Sequence, residues 1–167
     1  KTVDEARDIV AEIIGCRPGE IVFTSGGTEG ANAAVLGAVR KHGGRAVCSA
    51  AEHHAVLHCV EHSGGIVVGT NADGTIDTDA LAAALRANGD VTVVSVMAVN
   101  NEVGSVTDME KVSRTVRKFA PHAILHTDAV QAASWIDLRT LWPLVDVLTL
   151  SAHKFGGPKG CGVMVNR

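Results

Sequence analysis

The sequence predicts an α/β fold, a three-layer sandwich in which helices cover both faces of a mostly parallel sheet. Short runs of β-branched and aliphatic residues recur along the chain, and most are separated by a stretch with apolar residues at helical spacing. Strands and helices that alternate in this way are typical of βαβ units, whose strands pair in parallel. Because no linker-like stretch divides the 167 residues, we expect a single domain.

Five stretches have the apolar spacing of amphipathic helices and recognisable end signals. Gly15 and Pro18 supply a stop after the first stretch, and Asp77 supplies a cap before the fourth. The predicted helices cover residues 1–14, 31–42, 55–62, 77–86 and 108–119.

Polar residues follow the predicted strands at the points where those strands end. The strands are expected at 21–24, 46–49, 65–70, 91–99, 123–128, 145–150 and 162–165. In open α/β sheets, ligands collect beyond the carboxyl ends of the strands. We therefore predict one shared site, formed by the polar clusters 25–29, 52–53, 100–101, 128–131 and 151–154.

Lys154 is the candidate reactive residue of this site. It follows a short apolar strand and precedes a Gly-Gly-Pro turn, so its amine is delivered to a defined position at a strand end. An amine held in this way suits Schiff-base chemistry with a carbonyl group. The alternative is an ordinary solvated lysine, which is the expectation for Lys159 in the same stretch.

The segment 25–29 is a glycine turn that opens a helix, and it is a candidate phosphate site. Free backbone N–H groups and the helix dipole favour an anion there, Gly27 permits close approach, and Thr28 adds a hydroxyl. The alternative is a plain strand-to-helix turn with Thr28 as the helix cap. The glycine spacing matches neither the Walker nor the dinucleotide-binding motif, which argues against a nucleotide loop.

Asp128 and His53 both stand at strand ends with chemistry suited to an aromatic cofactor. A carboxylate at the end of an apolar strand requires a cationic partner, and a protonated pyridine nitrogen would serve. The alternative for Asp128 is a cap on the next helix. His53 is positioned to lie flat against the ring of such a cofactor.

His54, His58 and His62 fall on one face of a predicted helix, so they suit either a transition metal or a solvated polar face. No cysteine or carboxylate completes a metal site, and we predict none. The four cysteines have no Cys-x-x-Cys spacing, which favours reduced, mostly buried thiols and a cytoplasmic protein, although a disulfide pair stays open.

Composition argues against nucleic acid and membrane partners. The net charge is −3, there is no tyrosine, and only five residues are Phe or Trp, so neither a basic surface nor stacking platforms are predicted. The longest apolar run, 91–99, is too short to span a bilayer. The chain begins at Lys1, so a removed targeting segment also stays open.

Five motifs together give a specific resemblance. The chain resembles the NifS/IscS-like cysteine desulfurases, pyridoxal-phosphate enzymes of the class V aminotransferase group and of fold type I. The motifs occur in the family's order, with near-family spacing, from about residue 20 onward. They are Phe23-Thr-Ser-Gly-Gly-Thr-Glu29, Glu52-His53, Val99-Asn-Asn-Glu-Val-Gly104, Asp128-Ala-Val-Gln131 and Ser151-Ala-His-Lys-Phe-Gly-Gly-Pro-Lys-Gly160.

The resemblance implies a role for each candidate residue around bound pyridoxal 5'-phosphate. Lys154 would form the internal aldimine and later move the substrate's Cα proton, His53 would stack on the ring, and Asp128 would pair with the ring nitrogen. The implied phosphate ligands are Gly27, Thr28, Ser151 and His153, and the implied partners of the phenolic oxygen are Asn101 and Gln131.

The resemblance also implies an activity and partners for the whole enzyme. A homodimer would convert L-cysteine to L-alanine and an enzyme-bound persulfide, whose sulfur an acceptor protein takes for iron–sulfur clusters or other transfer. Selenocysteine lyase, another class V activity such as a transaminase, and a non-catalytic cofactor-binding fragment remain alternatives. The Asn-Asn-Glu-Val-Gly and His-Lys-Phe-Gly-Gly-Pro sequences favour the desulfurase branch.

Several parts of the family pattern have no match between Lys1 and Arg167. They are the catalytic cysteine on its loop, the arginine that binds the substrate carboxylate, the small C-terminal domain, the first N-terminal segment and a phosphate contact from the neighbouring subunit. We therefore expect residues 1–167 to be part of the cofactor-binding large domain.

Overall fold

Aliphatic and β-branched runs form seven strands in a computed structural model that describes residues 1–167. Side chains on the central strands are almost wholly buried, as expected for a sheet covered on both faces. The strands are β1 (Ile21–Thr24), β2 (Arg45–Ser49), β3 (Ile66–Val68), β4 (Val91–Ser95), β5 (Ile124–Asp128), β6 (Val147–Ser151) and β7 (Gly162–Asn166).

The strands form one sheet in the order β1-β7-β6-β5-β4-β2-β3. Neighbouring pairs are parallel except those of β7, which runs antiparallel to both β1 and β6. Since β7 alone is reversed, β1, β6, β5, β4 and β2 all end at the same edge of the sheet. The predicted mostly parallel α/β architecture is confirmed.

Five α-helices connect the strands and a sixth precedes β1, and their ends follow local sequence signals. Asp77 caps its helix by accepting hydrogen bonds from the N–H groups of Asp79 and Ala80, as predicted. Gly15 ends the first helix in the left-handed conformation, with φ 81°. The helices are α1 (Thr2–Ile14), α2 (Gly27–His42), α3 (His54–His62), α4 (Thr78–Ala87), α5 (Met109–Phe119) and α6 (Leu138–Leu141).

Two apolar layers hold the sheet between these helices. Helices α2 and α3 pack with β2 and β4 residues in a cluster that includes Val35, Val60 and Val93. The remaining helices contribute to the larger cluster on the opposite face, which includes Leu85 and Leu125. None of the helices has the length and hydropathy needed to traverse a lipid bilayer.

Three predicted boundaries were wrong, each for a local reason. Helix α2 begins at Gly27 rather than at residue 31, because the backbone turns helical directly after the extended Gly26. Strand β4 ends at Ser95 rather than at residue 99, because β2 turns away from it after Ser49. The strand expected at 65–70 pairs with β2 only over Ile66–Val68. Helix α6 is a single turn that apolar periodicity did not reveal.

Candidate active site

A cavity of roughly 280 Å³ opens at the edge where the parallel strands end. Its wall contains all nine residues that the sequence singled out for the site, together with three that it missed, Ala55, Met97 and Val130. The nine are Gly27, Thr28, His53, Asn101, Asp128, Gln131, Ser151, His153 and Lys154. They meet because each stands at or just beyond the carboxyl end of β1, β2, β4, β5 or β6.

One end of the cavity is formed by the first turn of α2. Gly26 is the N-cap and makes no side-chain bond, so Thr28 is not the helix cap that was considered as an alternative. A Cβ atom at Gly27 would lie 2.6 Å from Val130 Cγ2, so the glycine lets the helix approach the loop after β5. The first N–H groups of a helix have no intrahelical acceptor, and here they stand at the cavity wall.

Ser151 and His153 lie beside this turn at the end of β6. Ser151 is buried, and its Oγ is hydrogen-bonded to His153 Nδ1 at 2.9 Å. That bond links the last residue of the strand to the imidazole two residues further on. Polar side chains therefore converge at the α2 end of the cavity.

Asp128 supplies the buried carboxylate of the site. Only 4 % of it is exposed, and its Oδ1 accepts a hydrogen bond from Val130 N at 2.9 Å. The helix cap considered as an alternative is not formed, because the next helical turn begins after Gln131 without a side-chain cap, and the Val130 bond uses one carboxylate oxygen only. Burial raises the pKa of the Asp128 carboxyl, whereas the Val130 bond and the charges of His53 and Lys154 act to lower it.

Lys154 lies on a short 3-10 helix, residues Ala152–Phe155, that follows β6 directly. Gly156 ends this turn with φ 87°, a conformation that an L side chain rarely adopts. The Lys154 ammonium is exposed and takes part in none of the five ion pairs of the chain. Lys154 and buried Asp128 line the same cavity, and the charge of the amine acts to lower the pKa of that carboxyl.

His53 lines the cavity as the N-cap of α3. Its Nδ1 accepts a hydrogen bond from Ala55 N at 3.1 Å, so the proton of the neutral ring lies on Nε2. The bond also restricts rotation of the imidazole. His53 therefore offers a fixed ring face and an N–H group to the cavity.

Asn101 and Gln131 bring two amide side chains to the same wall. The neighbouring Asn100 orients the first of them, because its Oδ1 accepts from both Glu102 N and Val103 N and so forms a tight turn. Gln131 is the residue directly after Val130, at the end of the turn that Asp128 stabilises.

Glu52 was included in a polar cluster but assigned no role, and it turns out to be deeply buried. Its Oε1 accepts a hydrogen bond from Met97 N, while Oε2 is the one buried side-chain polar atom without a partner. Burial raises the pKa of the Glu52 carboxyl well above its usual value, the Met97 bond opposes the rise, and the charge of Asp128 adds to it. The only sequence signal of this burial was the position of the glutamate next to His53 in a largely apolar context.

The other candidates lie outside this cavity. His54, His58 and His62 do not form a metal site, since no group of three or more potential ligands comes together. His54 and His58 lie side by side, with ring centroids 5.0 Å apart. All four cysteines are free thiols, and none lines the cavity. Cys48 and Cys59 are buried and Cys16 is half-buried, whereas Cys161, in the glycine-rich turn before β7, is exposed and departs from the predicted burial.

The chain matches one known family over its whole length. The sequence profile described as aminotransferase class-V matches residues 1–167. An IscS-like cysteine desulfurase of Mycobacterium tuberculosis is 38 % identical to the chain; the match covers 100 % of the chain and 45 % of that protein. The cysteine desulfurase IscS of Vibrio atlanticus is 41 % identical, with 100 % and 42 % covered. The chain thus spans slightly less than half the length of these relatives.

A solved structure of a NifS-like protein has the same fold as the chain. It superposes with a TM-score of 0.86 at 35 % identity and covers 98 % of the chain, which in turn covers 47 % of that protein. The structure described as SspA in complex with cysteine gives a TM-score of 0.85 at 32 % identity, with 99 % and 49 % covered.

Proposed function

The chain belongs to the class V aminotransferase family, and from this premise we propose that it forms the pyridoxal-phosphate site of a cysteine desulfurase. The observation that carries the proposal is the shared cavity of Lys154 and Asp128, a reactive amine and a buried carboxylate whose charges interact. A ring with a cationic nitrogen and an aldehyde is complementary to this pair.

The donors and acceptors of the cavity fit pyridoxal phosphate. Asp128 is buried with a single backbone bond, so a cationic ring nitrogen would supply the partner that a buried carboxylate requires. The turn at Gly27 has no side chain, and a Cβ would collide with Val130, so backbone N–H groups alone are presented there. Such a turn at a helix N-terminus suits a phosphate group.

Each end of the cavity would hold a different part of the cofactor. Gly27, Thr28, Ser151 and His153 are proposed to hold the phosphate, since they combine helix N–H groups, two hydroxyls and an imidazole. At the ring, Asp128 is proposed to pair with the nitrogen, and His53 to lie against the ring face. Asn101 and Gln131 are proposed to donate to the phenolic oxygen through their amide groups.

Lys154 is the proposed catalytic residue, with His53 beside it. When bound, pyridoxal phosphate supplies an aldehyde that condenses with amines and a ring that withdraws electrons. The Lys154 amine, held at the end of β6 by the Gly156 turn, would remove and return a proton at the substrate Cα. Asp128 would keep the ring nitrogen protonated, and His53 Nε2–H would be available for proton transfer.

Cysteine is the proposed substrate. The relatives described above carry the name cysteine desulfurase, and the SspA structure is described as a complex with cysteine. Because none of the four cysteines of this chain lines the cavity, the chemistry proposed for residues 1–167 is cofactor binding and proton transfer. For the whole protein we propose a homodimer that passes sulfur to an acceptor protein.

The reaction can be tested on the full-length protein loaded with pyridoxal phosphate. We expect L-cysteine to give equal amounts of alanine and, with a thiol reductant, sulfide. The variant Lys154→Ala should form alanine at least about 10²-fold more slowly, because the proton-transferring amine is lost. Lys41→Ala is the matched control, since Lys41 is an exposed lysine in the last turn of α2 and does not line this cavity.

Two outcomes would contradict the proposal. Alanine formation by Lys154→Ala at the wild-type rate would remove Lys154 from the chemistry. A cofactor-loaded protein that releases selenide from selenocysteine but no sulfide from cysteine would replace the desulfurase with a selenocysteine lyase.

A further inference from the structure

We propose that Glu52 is a positioning residue, a protonated carboxyl group that ties the His53 loop to the segment leaving β4 and so holds two walls of the cavity in register. His53 and Met97 both line the cavity, and Glu52 is the side chain that connects their backbones. For its cofactor readout the inference rests on the function proposed above.

The need for this tie comes from the way β2 and β4 separate. Beyond β4, the N–H groups of Val96 and Ala98 donate to His126 O and Asp128 O on the β5 side. The N–H of Met97, between them, points to the other side, where β2 has already ended at Ser49. Glu52 Oε1 takes the position of the missing strand carbonyl and accepts the Met97 bond.

A second bond crosses between the same two segments. Asn100 Nδ2 donates to Ala51 O at 2.8 Å, next in the chain to Glu52. The two ties therefore join residues 51–52 to residues 97 and 100. Their chain neighbours, His53 and Asn101, are the cavity residues that these ties would position.

The surroundings of Glu52 favour a neutral carboxyl. The residue is 7 % exposed, forms no ion pair, and its Oε2 has no partner in a small polar cavity lined by Ser49 and Thr107 among others. An ionised carboxylate there would be a buried, unpaired charge, so the group retains its proton instead.

The charged groups around Glu52 point the same way. The charge of Asp128, at the end of β5, adds to the rise in the pKa of Glu52. The charge of Lys154 acts to lower the pKa of Asp128, and no such cation acts on Glu52. Of the two buried carboxyls, only Asp128 shares its cavity with an amine, Lys154, and this difference is why we assign the proton to Glu52.

The proposal predicts different effects for two substitutions of Glu52. Glu52→Gln keeps a carbonyl acceptor for Met97 N and an N–H donor in place of the acid O–H, so it mimics the protonated side chain. Glu52→Ala removes the tie. In the full-length protein we expect Glu52→Gln to bind pyridoxal phosphate within about twofold of wild type, and Glu52→Ala roughly tenfold more weakly. Glu61→Ala, on the exposed face of α3, is the control.

Two measurements on the cofactor-free protein make the test independent of the proposed activity. Hydrogen exchange at the Met97 amide should accelerate in Glu52→Ala and stay slow in Glu52→Gln. The infrared difference between wild type and Glu52→Gln at neutral pH should contain the carbonyl band of a protonated carboxyl, and the same difference for Glu61→Gln should not.

The inference would be overturned if Glu52→Gln bound the cofactor as weakly as Glu52→Ala, since a charge would then be required. It would also be overturned by unchanged Met97 exchange in Glu52→Ala, or by the absence of the protonated-carboxyl band. Failure of the wild-type protein to bind pyridoxal phosphate would refute the proposed function, while exchange and infrared data would still decide the role of Glu52.

Discussion

Substituting Gly27 by alanine should damage the site through a single methyl group. The added Cβ would lie 2.6 Å from Val130 Cγ2, whereas ordinary van der Waals contact begins near 3.4 Å, so the overlap is 0.8 Å. Val130 belongs to the turn that donates a backbone hydrogen bond to Asp128. Relief of the overlap therefore displaces either the first turn of α2 or the Asp128 turn, and both form the cavity wall.

The size of the effect follows from two opposing contributions. Overpacking by one methyl group typically costs about 1–3 kcal/mol. Replacing a helical glycine by alanine gains up to about 1 kcal/mol through backbone entropy. We expect Gly27→Ala to lower the free energy of unfolding by roughly 1–2 kcal/mol and to weaken pyridoxal-phosphate binding.

The assay is a double-mutant cycle in denaturant unfolding, with cofactor titration on the same proteins. Val130→Ala removes the obstructing methyl, so Gly27→Ala should cost about 1 kcal/mol less in that background. Gly37→Ala is the control in the same helix, because its Cβ would meet nothing within 4 Å; it should stabilise by about 0.5–1 kcal/mol. Equal stability and cofactor affinity for Gly27→Ala and wild type would refute the reasoning.

Two further predictions concern buried titratable groups. Burial lowers the pKa of His126 to about 3, so on acidification the unfolded chain binds a proton at this residue and the folded chain does not. The contribution of His126 to the free energy of unfolding should be full above pH 6.5 and fall below it by up to about 1.4 kcal/mol per pH unit. In pH-dependent unfolding, His126→Gln should flatten this slope, whereas His122→Gln, at an exposed position, should not. Asp128→Asn keeps the size of the side chain and removes its charge, so alanine formation should fall by about 10²-fold or more. A variant that reacts at the wild-type rate would show that Asp128 is not the partner of the ring nitrogen.

Much of the site could be predicted because it depends on strand ends. The carboxyl ends of parallel strands share one edge, so polar residues that follow separate strands meet without any knowledge of their contacts. This reasoning brought Thr28, Asn101 and Lys154 to one cavity. The capping role of Asp77 could also be predicted, because it depends only on residues two and three positions away.

What could not be predicted depends on contacts between distant segments. The bond from Met97 N to Glu52 exists because β2 and β4 separate after a particular register, which residue patterns do not reveal. His126 fills a buried position because Ser95 and Thr149 on the flanking strands bond its two ring nitrogens, at 2.7 and 3.1 Å. The antiparallel insertion of β7 between β1 and β6 likewise has no local signature.

Borohydride reduction of the cofactor-loaded, full-length protein, followed by peptide mass mapping, tests the central claim most directly. Reduction attaches the cofactor permanently to the amine with which it has condensed. The geometry of the cavity predicts the added mass on Lys154 and none on Lys159, five residues further along. Label on Lys159 or on any other lysine, with Lys154 unmodified, would contradict the assignment of this cavity as the cofactor site.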